Sequence, residues 1–422
     1  MKTQNNNNLP KGWRKVKLGE ILKEHPQYGY TASATDKKVG PKFLRVTDIV
    51  GYKVEWAKVP FCKISEEEKK KYLLNKGDIV FARAGTVGYT FFVKENPPEE
   101  TIFASYLIRI KIDEKKYDPV YVSYFLKSPF YWGQVNNFLT GTSQPGINAT
   151  SLRDFELLIP EDINEQKRIA AILSAFDDKI ELNNKIIKTL EEMAQEIFKE
   201  WFVRFRFPGW QKVKFVDSEL GKIPEGWEIS KIGEKLTTIL GGTPSTSNKS
   251  YWENGDIPWI NSGAINDFPI INPTNFITKK GLENSAAKLM SVKTVVLPLV
   301  ISIGKPVNIS MLAKEMSGNQ SVVGIVGNDK ITPEYIYCWV QYKKQEIYGS
   351  ASGGAQQHIN KNIIDSTLIL IPKGEILDSF NRKVVPFFDT IIKKAFENQT
   401  LAILRDLLLP KLMSGEILVN SE

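Results

Sequence analysis

The fold is decided by a segment that occurs twice in the chain. The first copy reads LPKGWRKVKLGE over residues 9–20, and the second reads IPEGWEISKIGE over residues 223–234. Trp13 and Trp227 are 214 positions apart (227 − 13), and the dipeptide Phe-Asp at residues 176–177 returns at residues 388–389. A duplication of this extent predicts two similar units related by a pseudo-two-fold axis, which suits a target that also comes in two halves.

Composition and charge suit a globular protein that binds a polyanion. The chain has 422 residues, of which 42% are hydrophobic and 25% charged, so roughly three domains or fewer are expected. The net charge is +8, and residues 1–160 alone carry 25 basic and 17 acidic side chains, an excess of 8. This placement favours nucleic acid as a partner, although a basic protein without a polyanionic ligand stays an open alternative.

The sequence contains no segment typical of a membrane protein or a secreted protein. The longest apolar stretch, residues 294–304, is shorter than the roughly 20 residues that span a bilayer. The polar residues 4–8 lack the apolar core of a signal peptide. Cys62 and Cys338 are isolated, so we expect no disulfide, no zinc site and a reducing cytoplasm as the compartment.

Each half has a globular segment followed by a helical one. We predict globular segments at residues 1–160 and 209–370, and helical segments at residues 161–208 and 371–422, which makes the fold class α/β (mixed α+β). Strands are indicated by apolar runs between Gly and Pro, at residues 43–49, 78–83, 89–93, 103–112, 259–260, 293–303 and 322–326. Short helices are predicted at residues 120–127 and 333–341.

The first helical segment has the pattern of a coiled coil. Residues 162–203 contain neither Gly nor Pro, and apolar residues recur in steps of 3 and 4, with one step of 7 that Asn183 divides. A single polar residue on such a seam fixes register and partner. The seam comprises Ile169, Leu173, Phe176, Ile180, Asn183, Ile187, Leu190, Ala194, Ile197 and Trp201. The alternative is an amphipathic helix that packs on its own domain, but a length of roughly 60 Å argues against it.

The second helical segment, residues 374–412, repeats this spacing less cleanly. From Phe388 onward the 3–4 step is kept, and Asn398 lies on the seam. Pro386 is expected to break or kink the helix, because Pro lacks the backbone donor and clashes with the preceding turn. If the two helices pair, they hold the globular segments at a fixed spacing.

The motifs that catalysis needs are missing. Residues 96–99, Asn-Pro-Pro-Glu, differ from the Asn-Pro-Pro-aromatic motif of DNA amino-methyltransferases because Glu99 cannot stack on a flipped base, so we interpret them as a turn. Glu67 and Lys69 have nuclease-like spacing, but they lie in a charge run that we assign to a solvated helix face. The chain has no phosphate-binding loop, and His25 and His358 are its only histidines. We therefore expect neither covalent chemistry nor a metal site.

Two polar loops occupy matching places before the helical segments. Residues 141–148 and 354–360 combine Gly, which lets backbone approach a ligand, with Gln, which can pair with adenine. The same residue types also cap turns, and that alternative stays open. The candidate DNA-binding residues are Arg45, Thr47, Arg83, Ser143, Gln144, Asn261, Ser262, Ser302, Lys305, Gln356 and Gln357.

The candidates differ in chemistry between the two halves. Arg45 is equivalent to Asn261 and Arg83 to Leu299, each pair 216 positions apart. Two similar scaffolds with different polar faces are expected to read two different half-sites. Tyr28, Tyr30 and Trp252 are further candidates for contacts with sugars or bases, although aromatics at strand edges more often belong to the core.

Together these motifs resemble the specificity subunit of type I restriction-modification systems, over essentially the full length. The motifs that carry the resemblance lie in the order 165–170, 198–202, 223–227, 241–245, 257–260, 302–305, 319–320, 356–360 and 408–417. The first half departs from the pattern in two places, since residues 29–32 stand where the second half has Gly-Gly-Thr-Pro, and Ala104-Ser105 stands in place of Asn319-Gln320.

The resemblance implies a complete architecture and a set of partners. Each globular segment is a target recognition domain for one half of a split, asymmetric double-stranded DNA site. The helices are spacer regions that pack antiparallel, measure the unread gap and dock two methyltransferase subunits, which translocase/nuclease (restriction) subunits join. S-adenosylmethionine, ATP and Mg²⁺ belong to those partners, so no cofactor is expected in this chain. The expected location is the prokaryotic cytoplasm, in association with the nucleoid.

Three other functions stay open at this point. A bifunctional restriction-modification enzyme is disfavoured by the missing catalytic motifs. A scaffold that recruits partners without reading DNA, and a silent or orphan copy of a specificity subunit, are not distinguished by sequence. The measuring role predicts that four residues inserted near Asn183, about one helical turn, change the unread gap but neither half-site.

Overall fold

The chain folds into two compact units. A computed structural model describes residues 9–140, 146–302, 306–349, 351 and 356–419. One unit lies within Met1–Lys179 and Leu401–Glu422, and the other is Ile180–Thr400. Both boundaries fall inside long helices, so each unit contains part of each long helix. The expected mixture of helices and strands is confirmed, whereas the predicted domain limits stay a prediction.

The first unit is formed by eight described strands and by helices on their flanks. Its strands are β1 (Trp13–Lys17), β2 (Gln27–Tyr28), β3 (Lys42–Leu44), β4 (Ile79–Ala82), β5 (Thr90–Phe92), β6 (Thr101–Phe103), β7 (Leu107–Ile110) and β8 (Glu156–Pro160). Its helices are α1 (Glu66–Tyr72), α2 (Pro119–Phe125), α3 (Pro129–Thr140), α4 (Ala149–Arg153) and the start of α5 (Ile163–Phe198).

The second unit has more strands, several of them very short. Its strands are β9 (Phe215–Ser218), β10 (Gly221–Pro224), β11 (Glu228–Lys231), β12 (Thr237–Leu240), β13 (Ile257–Ile260), β14 (Asn275–Ile277), β15 (Leu289–Met290), β16 (Val295–Pro298), β17 (Val300–Ser302), β18 (Ser310–Met311), β19 (Met316–Gly318), β20 (Val322–Val326), β21 (Gln356–His358) and β22 (Leu368–Ile371). Its helices are α6 (Ile232–Lys235), α7 (Lys279–Glu283), α8 (Pro333–Gly349), α9 (Lys361–Ser366) and α10 (Gly374–Met413), whose last turns belong to the first unit.

The two units repeat one sheet topology. The first has a four-stranded antiparallel sheet in the order β2-β7-β4-β5, and the second has β12-β20-β16-β18. A parallel pair accompanies each sheet, β3 with β6 and β13 with β19. The segment that carries each tryptophan motif pairs with the strand before a long helix, β1 with β8 and β11 with β22. The internal duplication therefore holds at the level of strand order and register.

Central strands follow directly from the sequence because they are buried on both faces. All four residues of β4 and of β16 are buried, which explains their continuous apolar runs. The predicted run at residues 43–49 is too long, since β3 ends at Leu44 and a short turn follows. Helix α3 was not predicted, because its aromatic and Asn residues have low helix propensity.

Both long helices contribute to the cores of the units. In the first unit, strands β4 and β7 and helix α2 pack with the ends of α5 and α10, through Ile79, Phe81, Ile108, Tyr121, Phe125, Ile169, Leu173, Leu409 and Met413. In the second unit, Phe198 and Phe202 pack with Tyr335 and Phe380. The coiled-coil pair and the helix packed on its own domain were alternatives in the sequence analysis. The structure combines them, since the long helices pair with each other and also pack on the globular segments.

Within the second unit the long helices run antiparallel. The Nδ2 atom of Asn183 lies 2.9 Å from the Oδ1 atom of Asn398, and further along α5 the ring of Phe198 lies 6.4 Å from that of Phe380. Helix α5 continues into a π-helical turn, Lys199–Val203. The predicted helix at residues 162–203 is confirmed, since α5 and its π-helical turn together extend from Ile163 to Val203.

The expected break at Pro386 was wrong. Helix α10 is continuous from Gly374 to Met413. Pro in a helix interior costs about 3 kcal/mol relative to Ala. Phe380, Val384, Phe388 and Ile391 surround Pro386 in sequence and are fully buried, and each buried side chain of this size contributes about 1.5–3 kcal/mol. Tertiary packing therefore outweighs the local penalty.

Candidate nucleic-acid interface

Arg45 and Asn261 begin the same short turn in their respective units. Each follows the strand that joins the parallel pair, β3 or β13, and each starts a 3-10 turn. The Arg45 guanidinium bonds both carboxylate oxygens of Asp48, at 3.0 and 2.8 Å, and this contact raises the pKa of Arg45. The Asn261 Oδ1 atom accepts the Gly263 N–H at 2.9 Å. Both side chains are thus engaged within their own turns, and their role in reading DNA stays a prediction.

Two neighbouring candidates lie in the same turns. Thr47 is exposed in the turn after Arg45, and Ser262 is half-buried in the turn after Asn261. The structure therefore brings Arg45 and Thr47 together in one unit, and Asn261 and Ser262 together in the other.

Arg83 contacts one exposed tyrosine through its side chain and a second through its backbone. Its guanidinium carbon is 5.0 Å from the centre of the Tyr28 ring. Its backbone N–H donates to the Tyr106 carbonyl at 2.9 Å, and its carbonyl accepts the Ile147 N–H at 3.0 Å. Tyr28 is 41% exposed and Tyr106 58% exposed. We call these three residues the Tyr28–Arg83–Tyr106 patch.

In the second unit, two candidates meet on a two-stranded ribbon. Strand β17 pairs with β21, in a register that places Ile301 opposite Gln357 and Ser302 opposite Gln356. Ser302 is exposed and Gln357 half-buried. The side chain of Gln356 lies outside the described residues, as do Ser143, Gln144 and Lys305.

The two polar loops lead into short helices that Asn residues cap. The Oδ1 atom of Asn148 accepts the Ser151 N–H at 2.8 Å, and that of Asn360 accepts the Ile363 N–H at 3.1 Å. An Asn at this position satisfies an otherwise unpaired N–H of the first helical turn. Helix capping therefore explains the asparagine at the end of each polar loop.

A tight backbone approach recurs where the two halves differ in sequence. A Cβ atom added to Gly29 would lie 2.2 Å from the Ala104 carbonyl oxygen, and one added to Gly241 would lie 2.2 Å from that of Asn319. Only Gly fits at such a distance. Gly29 is therefore the structural equivalent of Gly241, although the residues that follow the two glycines differ.

The predicted seam residues differ in burial along the helices. In the second unit, Ile180, Asn183 and Ile187 are buried and Leu190 is half-buried. Ile187 packs in a cluster with Ile391 and Ala395 of α10. Asn398 donates from Nδ2 to Asn184 at 2.9 Å while it accepts from Asn183. Phe176, in the first unit, is half-buried.

At the end of α5 the seam moves by one residue. Ile197 is only half-buried, whereas Phe198 is fully buried and Trp201 is 8% exposed. In the π-helical turn Lys199–Val203 that follows, Trp201 and Phe202 are both buried.

A charged cluster joins α5 and α10 in the first unit. The sequence analysis did not predict it. Asp177 accepts a hydrogen bond from the Tyr124 hydroxyl at 2.7 Å and forms an ion pair with Arg405. Burial alone would raise the pKa of Asp177, but the Tyr124 bond and the cations of Lys127 and Arg405 hold that pKa below its ordinary value. The repeated Phe-Asp dipeptide could have indicated this cluster in the sequence. Its second aspartate, Asp389, also forms an ion pair, with Lys293.

The motifs that suggested enzymes have structural roles. Asn96 lies in the loop between β5 and β6, where its Oδ1 atom accepts the Lys76 N–H at 2.9 Å, and a turn at residues 96–99 stays a prediction. Residues 66–71 form helix α1 as expected, but its face is not fully solvated, because Lys69 is buried and pairs with Glu66 and Glu100.

Neither cysteine has the features of a reactive or ligating thiol. Cys62 and Cys338 are free and buried, and burial raises the pKa of Cys62 to about 11 and that of Cys338 well above its ordinary value. Across the described ranges, no three His, Cys, Asp or Glu side chains gather as a metal site would need. None of the helices in those ranges combines the length and the apolar character of a bilayer crossing.

Similarity to proteins of known class extends along the chain. The family described as type I restriction modification DNA specificity domain matches residues 10–192 and again residues 224–405. The type I restriction enzyme MjaIX specificity subunit of Methanocaldococcus jannaschii is 27% identical, over 98% of this chain and 95% of its own length. The type I restriction enzyme HindI specificity subunit of Haemophilus influenzae is 26% identical, over 96% of this chain and 99% of its own length.

A solved structure has the same fold. The type I restriction-modification system S subunit from M. genitalium covers 100% of this chain and is itself covered over 99% of its length, with a TM-score of 0.56 and 16% identity. The two family matches begin 214 positions apart (224 − 10), the same separation as Trp13 and Trp227.

Proposed function

The chain belongs to the family of type I restriction-modification DNA specificity proteins, and on that premise we propose that each globular segment reads one half of a split, asymmetric DNA site. The observation that carries this proposal is one scaffold with two sets of side chains. The sheet order is the same in both units, but Arg45 is matched by Asn261 and Arg83 by Leu299. Side-chain donors and acceptors discriminate between bases. Because these side chains differ between the two units, we expect the two half-sites to differ in sequence.

The proposal assigns each segment of the chain a task. Residues 1–160 and 209–370 are the recognition domains, and residues 161–208 and 371–422 are the spacer regions. The remaining candidates, Thr47, Ser143, Gln144, Ser262, Ser302, Lys305, Gln356 and Gln357, belong to the DNA-facing surfaces of the two recognition domains.

The spacer helices set the length of the unread gap. Their antiparallel pairing within the second unit and the buried Asn183–Asn398 contact favour a single register. A helix that keeps one register along its partner holds its two ends at a constant separation, with about 1.5 Å per residue. The number of helical residues therefore determines the spacing between half-sites.

The spacer helices also dock two methyltransferase subunits, and restriction subunits complete the assembly. Exposed apolar side chains on these helices support docking, since such groups gain from burial against a partner. They are Leu182 and Met193 on α5 in the second unit, and Ile403, Leu404 and Leu407 on α10 in the first. The chain itself performs recognition without catalysis, and S-adenosylmethionine, ATP and Mg²⁺ act on the partners.

The test is single-molecule methylation sequencing of DNA from cells that co-express this chain with its cognate methyltransferase subunit. We expect a split, two-part methylated motif that is absent from cells with the methyltransferase alone. An assembled complex that produces no new motif would reject the proposal in favour of a silent copy or a scaffold.

The measuring role has a test of its own, which the antiparallel pairing sharpens. One heptad is inserted after Lys179 and a second after Thr400, so that the Asn183–Asn398 contact is kept. Seven residues add about 10.5 Å, which corresponds to about three base pairs at 3.4 Å each. We expect a gap longer by about three base pairs and unchanged half-sites. Changed half-sites with an unchanged gap would contradict the measuring role.

A further inference from the structure

We propose that Arg83 reads a guanine in the half-site of the first recognition domain and that Tyr28 is its positioning residue. This inference rests on the proposed function, because it takes the first globular segment to be a DNA reader. It adds a specific base, a specific side chain and the contact that orients the side chain.

Arg83 is held in place before any DNA binds. Its guanidinium lies over the Tyr28 ring, 5.0 Å from the ring centre. The ring is fixed at its far end, because the Tyr28 hydroxyl accepts the Ala149 N–H at 2.9 Å, at the first residue of α4. Stacking of a guanidinium on an aromatic ring restricts its rotamers, which reduces the entropy lost on binding.

The Nε donor of Arg83 is unused among the residues that the structure describes. Over the residues that the structure describes, the Nε atom is buried and has no hydrogen-bond partner. Arg45, by contrast, is bound at two points by Asp48, and Arg109 donates to the Leu73 carbonyl at 2.7 Å. A buried donor without a partner carries a free-energy penalty that a suitably placed acceptor removes.

The second unit shows that the scaffold does not need an arginine here. Leu299 makes the same two backbone hydrogen bonds as Arg83, from its N–H to the Ser321 carbonyl at 2.8 Å and from the Ile359 N–H to its carbonyl at 3.0 Å. Leu240 takes the place of Tyr28 in strand pairing, opposite Val323 where Tyr28 is opposite Ile108. The Tyr28–Arg83–Tyr106 patch is therefore replaced by Leu240, Leu299 and Ser321.

Chemistry and position favour a base over a phosphate. Arginine forms its commonest specific DNA contact with the O6 and N7 atoms of guanine, as a planar two-point donor. Phosphate contacts need only charge and are made by mobile side chains as well, whereas Arg83 is half-buried and stacked. The patch also adjoins the first polar loop, since the Arg83 carbonyl bonds Ile147.

The experiment compares methylated motifs from the full complex with wild-type chain and with five variants, one of which is a control. R83L introduces the residue that the second unit tolerates at this position, and R83K keeps the charge but loses the planar fork. Y28L removes the ring, and Y28F keeps it. R153L, an exposed arginine of the same unit, is the matched control for the loss of one positive charge.

We expect the wild-type motif to contain a guanine that R83L makes degenerate, with about tenfold to hundredfold less discrimination at that position. R83K and Y28L should weaken the same preference, and Y28F, which keeps the ring but loses the hydroxyl bond to Ala149, should weaken it less than Y28L does. The second half-site, the gap and the R153L motif should not change.

Several results would overturn the inference, and they are distinguishable. Weaker methylation at every site by R83L with an unchanged motif would assign Arg83 to a phosphate, as would full function of R83K. A first half-site without guanine on either strand would exclude the reading directly. If the wild-type chain produced no split motif at all, the proposed function would fail and this inference with it.

Discussion

Asn183 and Asn398 are hydrogen-bonded to each other between the two long helices of the second unit, with the Nδ2 atom of Asn183 2.9 Å from the Oδ1 atom of Asn398. Asn183 is fully buried, and among the described residues its Oδ1 atom has no partner. The Nδ2 atom of Asn398 in turn donates a hydrogen bond to the Oδ1 atom of Asn184, at 2.9 Å. Such a pair costs stability relative to an apolar seam but disfavours every register in which the two amides do not meet.

Replacement of one member of this pair should be worse than replacement of both. N398L leaves the buried Asn183 amide without its acceptor, and we expect it to lower the free energy of unfolding by about 1–3 kcal/mol. The double variant N183L/N398L should recover most of this loss, because an apolar pair needs no hydrogen bond. Urea denaturation of the wild type, N183L, N398L and the double variant measures the coupling.

N184L tests the outer bond of this series by itself, because Asn184 is exposed and accepts from Asn398. We expect its effect to stay within about 0.5 kcal/mol. A double variant as unstable as the sum of its single changes would show that the two amides are not coupled.

The seam illustrates what sequence spacing predicts and where it stops. Steps of 3 and 4 select Ile180, Asn183 and Ile187, and all three are buried, as expected where two paired helices bury one narrow stripe. The same spacing chose Ile197 over Phe198 at the end of α5. There the helix meets the aromatic core of Tyr335, Trp339 and Phe380, which is wider than a helix partner, so periodicity no longer selects one residue.

The candidate site was predicted as positions rather than as contacts. The offset of 216 residues matched Arg45 to Asn261 and Arg83 to Leu299, and both matches hold in the backbone. Sequence did not reveal that Asp48 occupies the Arg45 guanidinium while Arg83 stacks on Tyr28. Such partners come from different strands and turns, and their distances depend on tertiary packing.

The carboxylate of Asp177 should make the first unit sensitive to acid. Its folded pKa lies below the ordinary value of about 3.9, so the ionised form is favoured in the folded state. That contribution to stability is complete above the ordinary pKa and is lost as the pH falls through the lower folded pKa. D177N should therefore be less stable than wild type at about pH 7, and the difference should shrink below about pH 4.

The adjacent residue supplies the control for this measurement. Asp178 pairs with Lys94, but both side chains are more than half exposed, and such pairs contribute about 0–1 kcal/mol. Unfolding free energies of wild type, D177N and D178N are compared from about pH 7 to about pH 3. A D177N deficit that stays constant over this range would contradict the assigned pKa direction.

Pro386 should be a stability defect that the fold tolerates. Alanine restores a backbone donor and removes the ring from the helix interior, which should stabilise the folded state by about 3 kcal/mol. The unfolded chain with alanine is more flexible, and this offsets about 1 kcal/mol of the gain. We expect P386A to raise the free energy of unfolding by about 2 kcal/mol. Pro410, near the end of the same helix, is the comparison, since P410A tests proline in the last turns. A neutral or destabilising P386A would mean that the ring contributes packing that offsets its backbone cost.

Alanine at two equivalent glycines should test the repeat within each unit. G29A and G241A each place a Cβ atom 2.2 Å from a carbonyl oxygen, of Ala104 or of Asn319, so the paired strands must separate. We expect each change to cost about 1–3 kcal/mol or more, as overpacking does. G133A lies in α3, where no atom of the described residues outside the local helix backbone is within 4 Å of the added Cβ. It should instead stabilise by about 0.5–1 kcal/mol. Denaturant unfolding of the three variants measures these differences. A tolerated G29A beside a damaging G241A would show that the first unit does not share the close backbone approach of the second.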